Sequence, residues 1–201
     1  EGHDSSSGLF EILPFGMLFD EVTPESLLLV HLSGTVIEGT EQHYNQTGYA
    51  IHSSVYKARE DVNAIFHLHT EASIAVASSP TGLLPLSQWA LHFYKKVAYG
   101  TYDSLILDSE QQGCKLTLEL GNKNVMLMQN HGLLTCGKTL AEALYYVHHL
   151  ERACKVQAFS HPPKEGWVLP DHATCVRSCQ DLLGFEKDLG RRDWNAYVRR
   201  L

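Results

Sequence analysis

Apolar residues along this 201-residue chain recur in two rhythms. Short unbroken runs bounded by glycine, proline or polar clusters read as buried strands, and three-to-four spacing reads as amphipathic helix. Runs of the first kind cover residues 9–13, 27–32, 62–70, 105–107 and 125–129. Helical spacing covers residues 49–59, 72–79, 87–97 and 110–120, the last ended by Gly121. The longest helix is predicted from Thr139, where Thr139-Leu140-Ala141-Glu142 reads as a capping box. Its apolar stripe runs through Leu144, Val147, Leu150 and Cys154 to Ala158. Pro162-Pro163 marks a linker, and the tail from Asp171 onward reads as helical.

Two of the strands carry chemistry at their ends. Residues 62–70 include His67-Leu68-His69, and because strand side chains alternate faces, the two imidazoles point the same way. His131 follows the run ending at Met128 and precedes Gly132, where a strand ends and the backbone turns tightly. Three imidazoles predict a facial site for zinc, manganese or iron with coordination positions left open, a pattern of catalysis rather than of structural metal. The adjacent His148 and His149 cannot share a helix face and are assigned to surface or interface packing.

Composition narrows the class. A formal net charge of −7 argues against a general nucleic-acid surface, and no apolar run approaches the roughly 20 residues of a membrane span. Five scattered cysteines without Cys-x-x-Cys spacing favour free thiols in a cytoplasmic protein. Asn45-Gln46-Thr47 matches a glycosylation acceptor, expected to be silent there. Length and composition predict one domain over residues 1–201, and the start at Glu1 without a methionine predicts missing upstream residues.

Four segments in order carry a family resemblance: Leu13-Pro14-Phe15-Gly16 with Glu21-Val22-Thr23, the block from His52 to Asp61, His67-Leu68-His69-Thr70, and Asn130-His131-Gly132-Leu133-Leu134. With the capped helix that follows, the chain resembles the class II aldolase/adducin family, which includes fuculose-phosphate aldolases and the adducin head domain. The runs Asn45-Gln46-Thr47-Gly48-Tyr49 and Gly82-Leu83-Leu84-Pro85 are most similar to the adducin-like branch. The resemblance implies a three-layer α/β/α fold with a central, mainly antiparallel sheet, assembled as a homotetramer with pockets at subunit interfaces. It implies that His67, His69 and His131 hold a divalent metal, usually zinc, for Lewis-acid cleavage of a carbon–carbon bond. It also implies that Gly16, Gln46 and Thr47 occupy the substrate-phosphate positions.

One departure matters. Where the aldolases carry a glutamate four residues before the histidine matching His52, this chain has Gly48, which can neither ligate through a side chain nor move a proton. Glu71, two residues past His69, is the nearest replacement carboxylate, unless it begins the next helix. The leading expectation is therefore a metal-dependent lyase or related enzyme on a small oxygenated substrate, but not a standard sugar-phosphate aldolase. Alternatives are an adducin-like scaffold for actin or spectrin and a decarboxylase or epimerase variant. No lysine-rich tail of the kind adducin uses is present.

Overall fold

The computed structural model describes residues 3–4, 7–39 and 43–200. In chain order these form β1 (His3–Asp4), β2 (Leu9–Ile12), a 3₁₀ turn (Pro24–Ser26), β3 (Leu28–His31), β4 (Val36–Glu38), α1 (Gln46–Ala58), β5 (Ala64–Leu68), α2 (Glu71–Ala77), α3 (Gln88–Leu91), β6 (Val97–Gly100), α4 (Gln111–Leu120), β7 (Val125–Met128), β8 (Gly132–Gly137), α5 (Leu140–Phe159), α6 (His172–Gly184) and α7 (Arg191–Val198). The architecture is mixed α/β. The chain divides into two units, one comprising Glu1–Ile65, Asp103–Leu118 and Gly137–Leu140, the other the remaining residues.

In the first unit, β1 to β4 form an antiparallel sheet in sequence order. Period-two alternation decides its buried face: Phe10, Ile12, Leu28 and Val30 are all within 3% of complete burial. Helix α1 sets Tyr49 and Tyr56 against Phe10, with ring centroids 6.0 and 5.3 Å away. It begins three residues before the expected boundary because the Asn45 side chain accepts a hydrogen bond from the Thr47 amide at 3.0 Å. The apparent glycosylation asparagine is a helix cap. Gly113 of α4 lies so close to α1 that a Cβ would sit 2.0 Å from Ser54 Oγ.

Residues 105–107 do not form the expected strand. Their backbone is held by one side chain: Gln112 donates to the carbonyls of Asp103 and Leu105, both at 3.0 Å, and accepts from the Leu107 amide at 2.9 Å. Leu105 and Leu107 stay exposed.

The second sheet has the order β5-β8-β7-β6, with β7 and β8 antiparallel and β6 and β7 parallel. Taking both sheets together, antiparallel pairing predominates, as expected. Leu127, Leu133, Leu150 and Cys154, each 0% exposed, form a core with Val76 and Ala77 of α2 and Phe93. At roughly 1.5–3 kcal/mol per large side chain withdrawn from water, this layer is a major source of folding free energy. The helix expected over residues 87–97 is only α3; the chain then turns through Lys95, at a left-handed φ of 58°, and enters β6. Strand β8, which the apolar pattern did not single out, is buried at all six positions.

Candidate metal centre

The predicted strand over residues 62–70 ends at Leu68, so His67 belongs to β5 and His69 lies just beyond it. Thr70 then caps α2, its hydroxyl accepting from the Ser73 amide at 3.3 Å and donating to the Glu151 carboxylate of α5. That capped junction fixes the backbone immediately after His69. Glu151 completes it from 81 residues away, a role no local pattern announces.

His131 sits on the three-residue connection between β7 and β8. Its amide donates to the Met128 carbonyl at 3.1 Å, the preceding Asn130 takes a left-handed φ of 55°, and Met128 pairs with Gly132. Asparagine accepts that conformation better than most residues. Gly132 is required sterically: a Cβ there would lie 2.2 Å from the Leu68 carbonyl oxygen and 3.1 Å from His69 Cδ2. The close approach of β8 to the end of β5 lets the connection carry His131 to the other two rings.

The three histidines converge. Ring centroids are 4.8 Å apart for His67 and His69, 4.9 Å for His67 and His131, and 4.6 Å for His69 and His131. One nitrogen from each lies within 4.8 Å of the others. His67 Nδ1 stands 2.9 Å from the Leu133 carbonyl oxygen, which can only accept, so Nδ1 carries the proton and Nε2 offers its lone pair. His67 Nε2 and His69 Nε2 are 3.0 Å apart. Nitrogens bound to one tetrahedral zinc at about 2.0–2.1 Å stand about 3.3 Å apart, so this spacing suits a shared cation. Nitrogens on one ion can be separated by at most about 4.2 Å. In the tetrahedral arrangement the widest gap, at most 4.8 Å, closes by up to about 1.5 Å. Burial, followed by the neighbouring His69, pushes the His131 imidazole below its ordinary range and favours the neutral, ligating form. The donor set fits a divalent cation and leaves coordination positions for a small molecule or water.

The other predicted residues belong to other segments of the chain. Glu71 is the first residue of α2 and is exposed; its carboxylate sits where a helix favours negative charge. It is not part of the close histidine group. Gly16, Gln46 and Thr47 all belong to the first unit. Gly16 is exposed with a φ of 93° and open space where a Cβ would be. The Phe15 amide bonds the His43 carbonyl at 2.7 Å, so the segment carrying Gly16 runs beside the one leading into α1. Gln46 and Thr47 open α1, with the Thr47 hydroxyl bonded to the Asn45 side chain at 2.9 Å. Gly48 follows in the same turn, and a Cβ there would meet only Asn45 Cβ, at 3.9 Å. His149 stacks on Tyr145 at 4.0 Å and His148 meets Tyr197, so both half-buried rings pack against aromatic side chains of the same chain. All five cysteines are free thiols. No helix among the described residues is long and apolar enough to cross a membrane.

Comparison with known proteins gives concordant matches. Residues 3–158 match the family described as Class II Aldolase and Adducin N-terminal domain. α-Adducin of Rattus norvegicus is 41% identical over 151 residues, covering 74% of this chain and 20% of that protein. The crystal structure of an aldolase II superfamily protein from Pseudomonas syringae aligns with a TM-score of 0.84 at 36% identity, covering 96% of this chain and 77% of the other. The L-fuculose 1-phosphate aldolase of Glaciozyma antarctica aligns with a TM-score of 0.75 at 31% identity, covering 87% and 68%. Among curated relatives, the chain spans 58% of the length of the matching bacterial class 2 aldolase-type proteins.

Proposed function

The chain belongs to the class II aldolase/adducin family, and on that premise we propose that it binds a divalent cation through His67, His69 and His131 and acts on a small oxygenated substrate as a lyase or in a related proton transfer. The observation that carries this reading is the convergence of three ligand nitrogens within 4.8 Å. When bound, zinc, or manganese or iron in its place, supplies Lewis-acid polarisation of a substrate carbonyl. His67 holds its Nε2 lone pair outward because Nδ1–H donates to Leu133, the outer hydrogen bond that orients metal-binding imidazoles. Gly132 excludes side-chain atoms from the approach of β8 to β5.

Gly48 lacks the carboxylate of the family's aldolases, so the reaction differs from standard sugar-phosphate aldol cleavage. Glu71 is our candidate proton carrier. Gly16, Gln46 and Thr47 are candidates for contacting an anionic part of the substrate, and a cytoplasmic homotetramer is the proposed assembly. The direct test is elemental analysis of protein purified without added metal, beside His67→Ala and His131→Ala. About one equivalent of metal in the parent and a loss of ten- to a hundredfold or more in affinity in each variant is expected. A metal-free parent with both variants indistinguishable from it would overturn the reading.

A second reading, a non-catalytic scaffold resembling adducin, is favoured by the same Gly48 and by the α-adducin match. Cosedimentation with filamentous actin or spectrin separates the two: a filament-bound chain without turnover of hydroxy-carbonyl substrates supports the scaffold.

A further inference from the structure

His67 is aimed through its ring, whose Nδ1–H donates to the Leu133 carbonyl at 2.9 Å, and His131 through its turn, whose amide donates to the Met128 carbonyl at 3.1 Å. His69 is held differently. It is exposed just past the end of β5, and among the described residues its ring hydrogen-bonds only to His67 Nε2, at 3.0 Å. Because His67 Nε2 holds a lone pair, that bond uses the His69 Nε2 proton, and a cation shared by the two rings displaces it. What then aims His69 is its backbone.

That backbone runs directly into Thr70, whose hydroxyl carries one proton. A carboxylate can only accept, so Glu151 takes that proton, and the Thr70 oxygen is left to accept from the Ser73 amide at 3.3 Å. The Ser73 hydroxyl, 2.8 Å from the same oxygen and 2.9 Å from the Thr70 carbonyl oxygen, fills the rest of the turn. Ser73 is 0% exposed, which removes water as a substitute partner. Glu151 is itself fixed from behind: it follows Leu150, a core residue of α5, and its side chain is only 17% exposed. The hydrophobic layer that carries the Leu133 carbonyl to His67 therefore also carries Glu151 to the residue after His69.

We propose that Glu151 is a positioning residue of the metal centre. By holding the Thr70 hydroxyl it fixes the exit of the chain from His69, and so sets the direction of that imidazole through the backbone as Leu133 sets that of His67 through the ring. The proposal rests on His69 being a metal ligand. Lys155 Nζ stands 3.2 Å from the other Glu151 oxygen and is 56% exposed, so it screens the carboxylate without aiming it.

The test is titration of the full chain with cobalt(II) and zinc, read by the visible spectrum of the cobalt form, together with NMR of the histidine rings in the metal-free protein. Glu151→Ala and Thr70→Val should each weaken metal binding about tenfold and alter the cobalt spectrum, as loss of an outer partner does. The double variant should also lose about tenfold, rather than the roughly hundredfold of independent effects. Glu151→Gln removes the same charge but keeps an oxygen for the Thr70 hydroxyl, and should bind close to the parent. Lys155→Ala should do the same. Asp171→Ala, which removes the cap of α6, is the control for a loss of stability alone and should leave affinity unchanged. In the metal-free protein the His69 ring signals should shift or broaden in Glu151→Ala and return in Glu151→Gln. Parent-like binding and His69 signals in Glu151→Ala, a loss in Glu151→Gln equal to that in Glu151→Ala, or an equal loss in Asp171→Ala would overturn the proposal. A parent that takes up no metal would defeat the ligand reading instead, and the His69 ring signals then decide the positioning role by themselves: displaced signals in Glu151→Ala uphold it, unchanged ones overturn it.

Discussion

Gly132 and Gly48 are both glycines inside regular structure, yet their surroundings are opposite. At Gly132 a single added carbon would lie 2.2 Å from the Leu68 carbonyl oxygen, whereas at Gly48 it would meet nothing nearer than Asn45 Cβ at 3.9 Å. The first glycine is imposed by packing. The second is not: the first turn of α1 has room for a side chain, and a glutamate there would also suit the helix dipole. The missing carboxylate is therefore a difference in chemistry that the architecture does not demand. The histidine cluster, by contrast, depends on a close contact between strands.

The comparison can be broken most forcefully at Gly132. Gly132→Ala should cost about 3 kcal/mol or more in urea unfolding, because backbone rather than a flexible side chain blocks the new methyl, and should lose metal with it. Parent-like stability and metal content would erase the distinction. Acid should act on the same side. Burial holds His131, His92, His148 and His149 below the ordinary histidine value of 6.5, with charged neighbours as a further cause. Below about pH 6.5 the unfolded chain takes up protons that these folded sites resist. Their contribution is thus complete above that pH and declines as pH falls toward the lowered values. A urea midpoint unchanged between about pH 7.5 and 5.5 would contradict this. A smaller loss, about 1 kcal/mol, is expected for Thr70→Ala, which removes the α2 cap and the partner of Glu151. The smallest effect belongs to Gly48→Ala, expected to raise stability by up to about 1 kcal/mol because alanine favours helix over glycine. A drop of about 2 kcal/mol instead would show that this turn is as constrained as Gly132.

Sequence pattern located the parts that follow local rules. The apolar runs before His67 and His131 became β5 and β7, and His67 and His69 lie side by side, although His69 falls just past the strand whose alternation was to place it. The errors arise where side chains replace local signals. The helix read from the pattern runs on to Val97, the first residue of β6, because the reversal at Lys95 uses a lysine, not glycine or proline, in the left-handed region. Leu105 to Leu107 looked like a strand, but its polar backbone is satisfied by Gln112 rather than by a neighbouring strand.

Leu133 occupies two structures at once. Its side chain is sealed in the core beside Leu127 and Leu150, while its carbonyl accepts the proton of His67 Nδ1. A change of volume in the interior is thereby transmitted as a change of angle at the ring. The aim of the imidazole is a mechanical property of the hydrophobic layer, and its precision is limited by how stiffly that layer resists repacking.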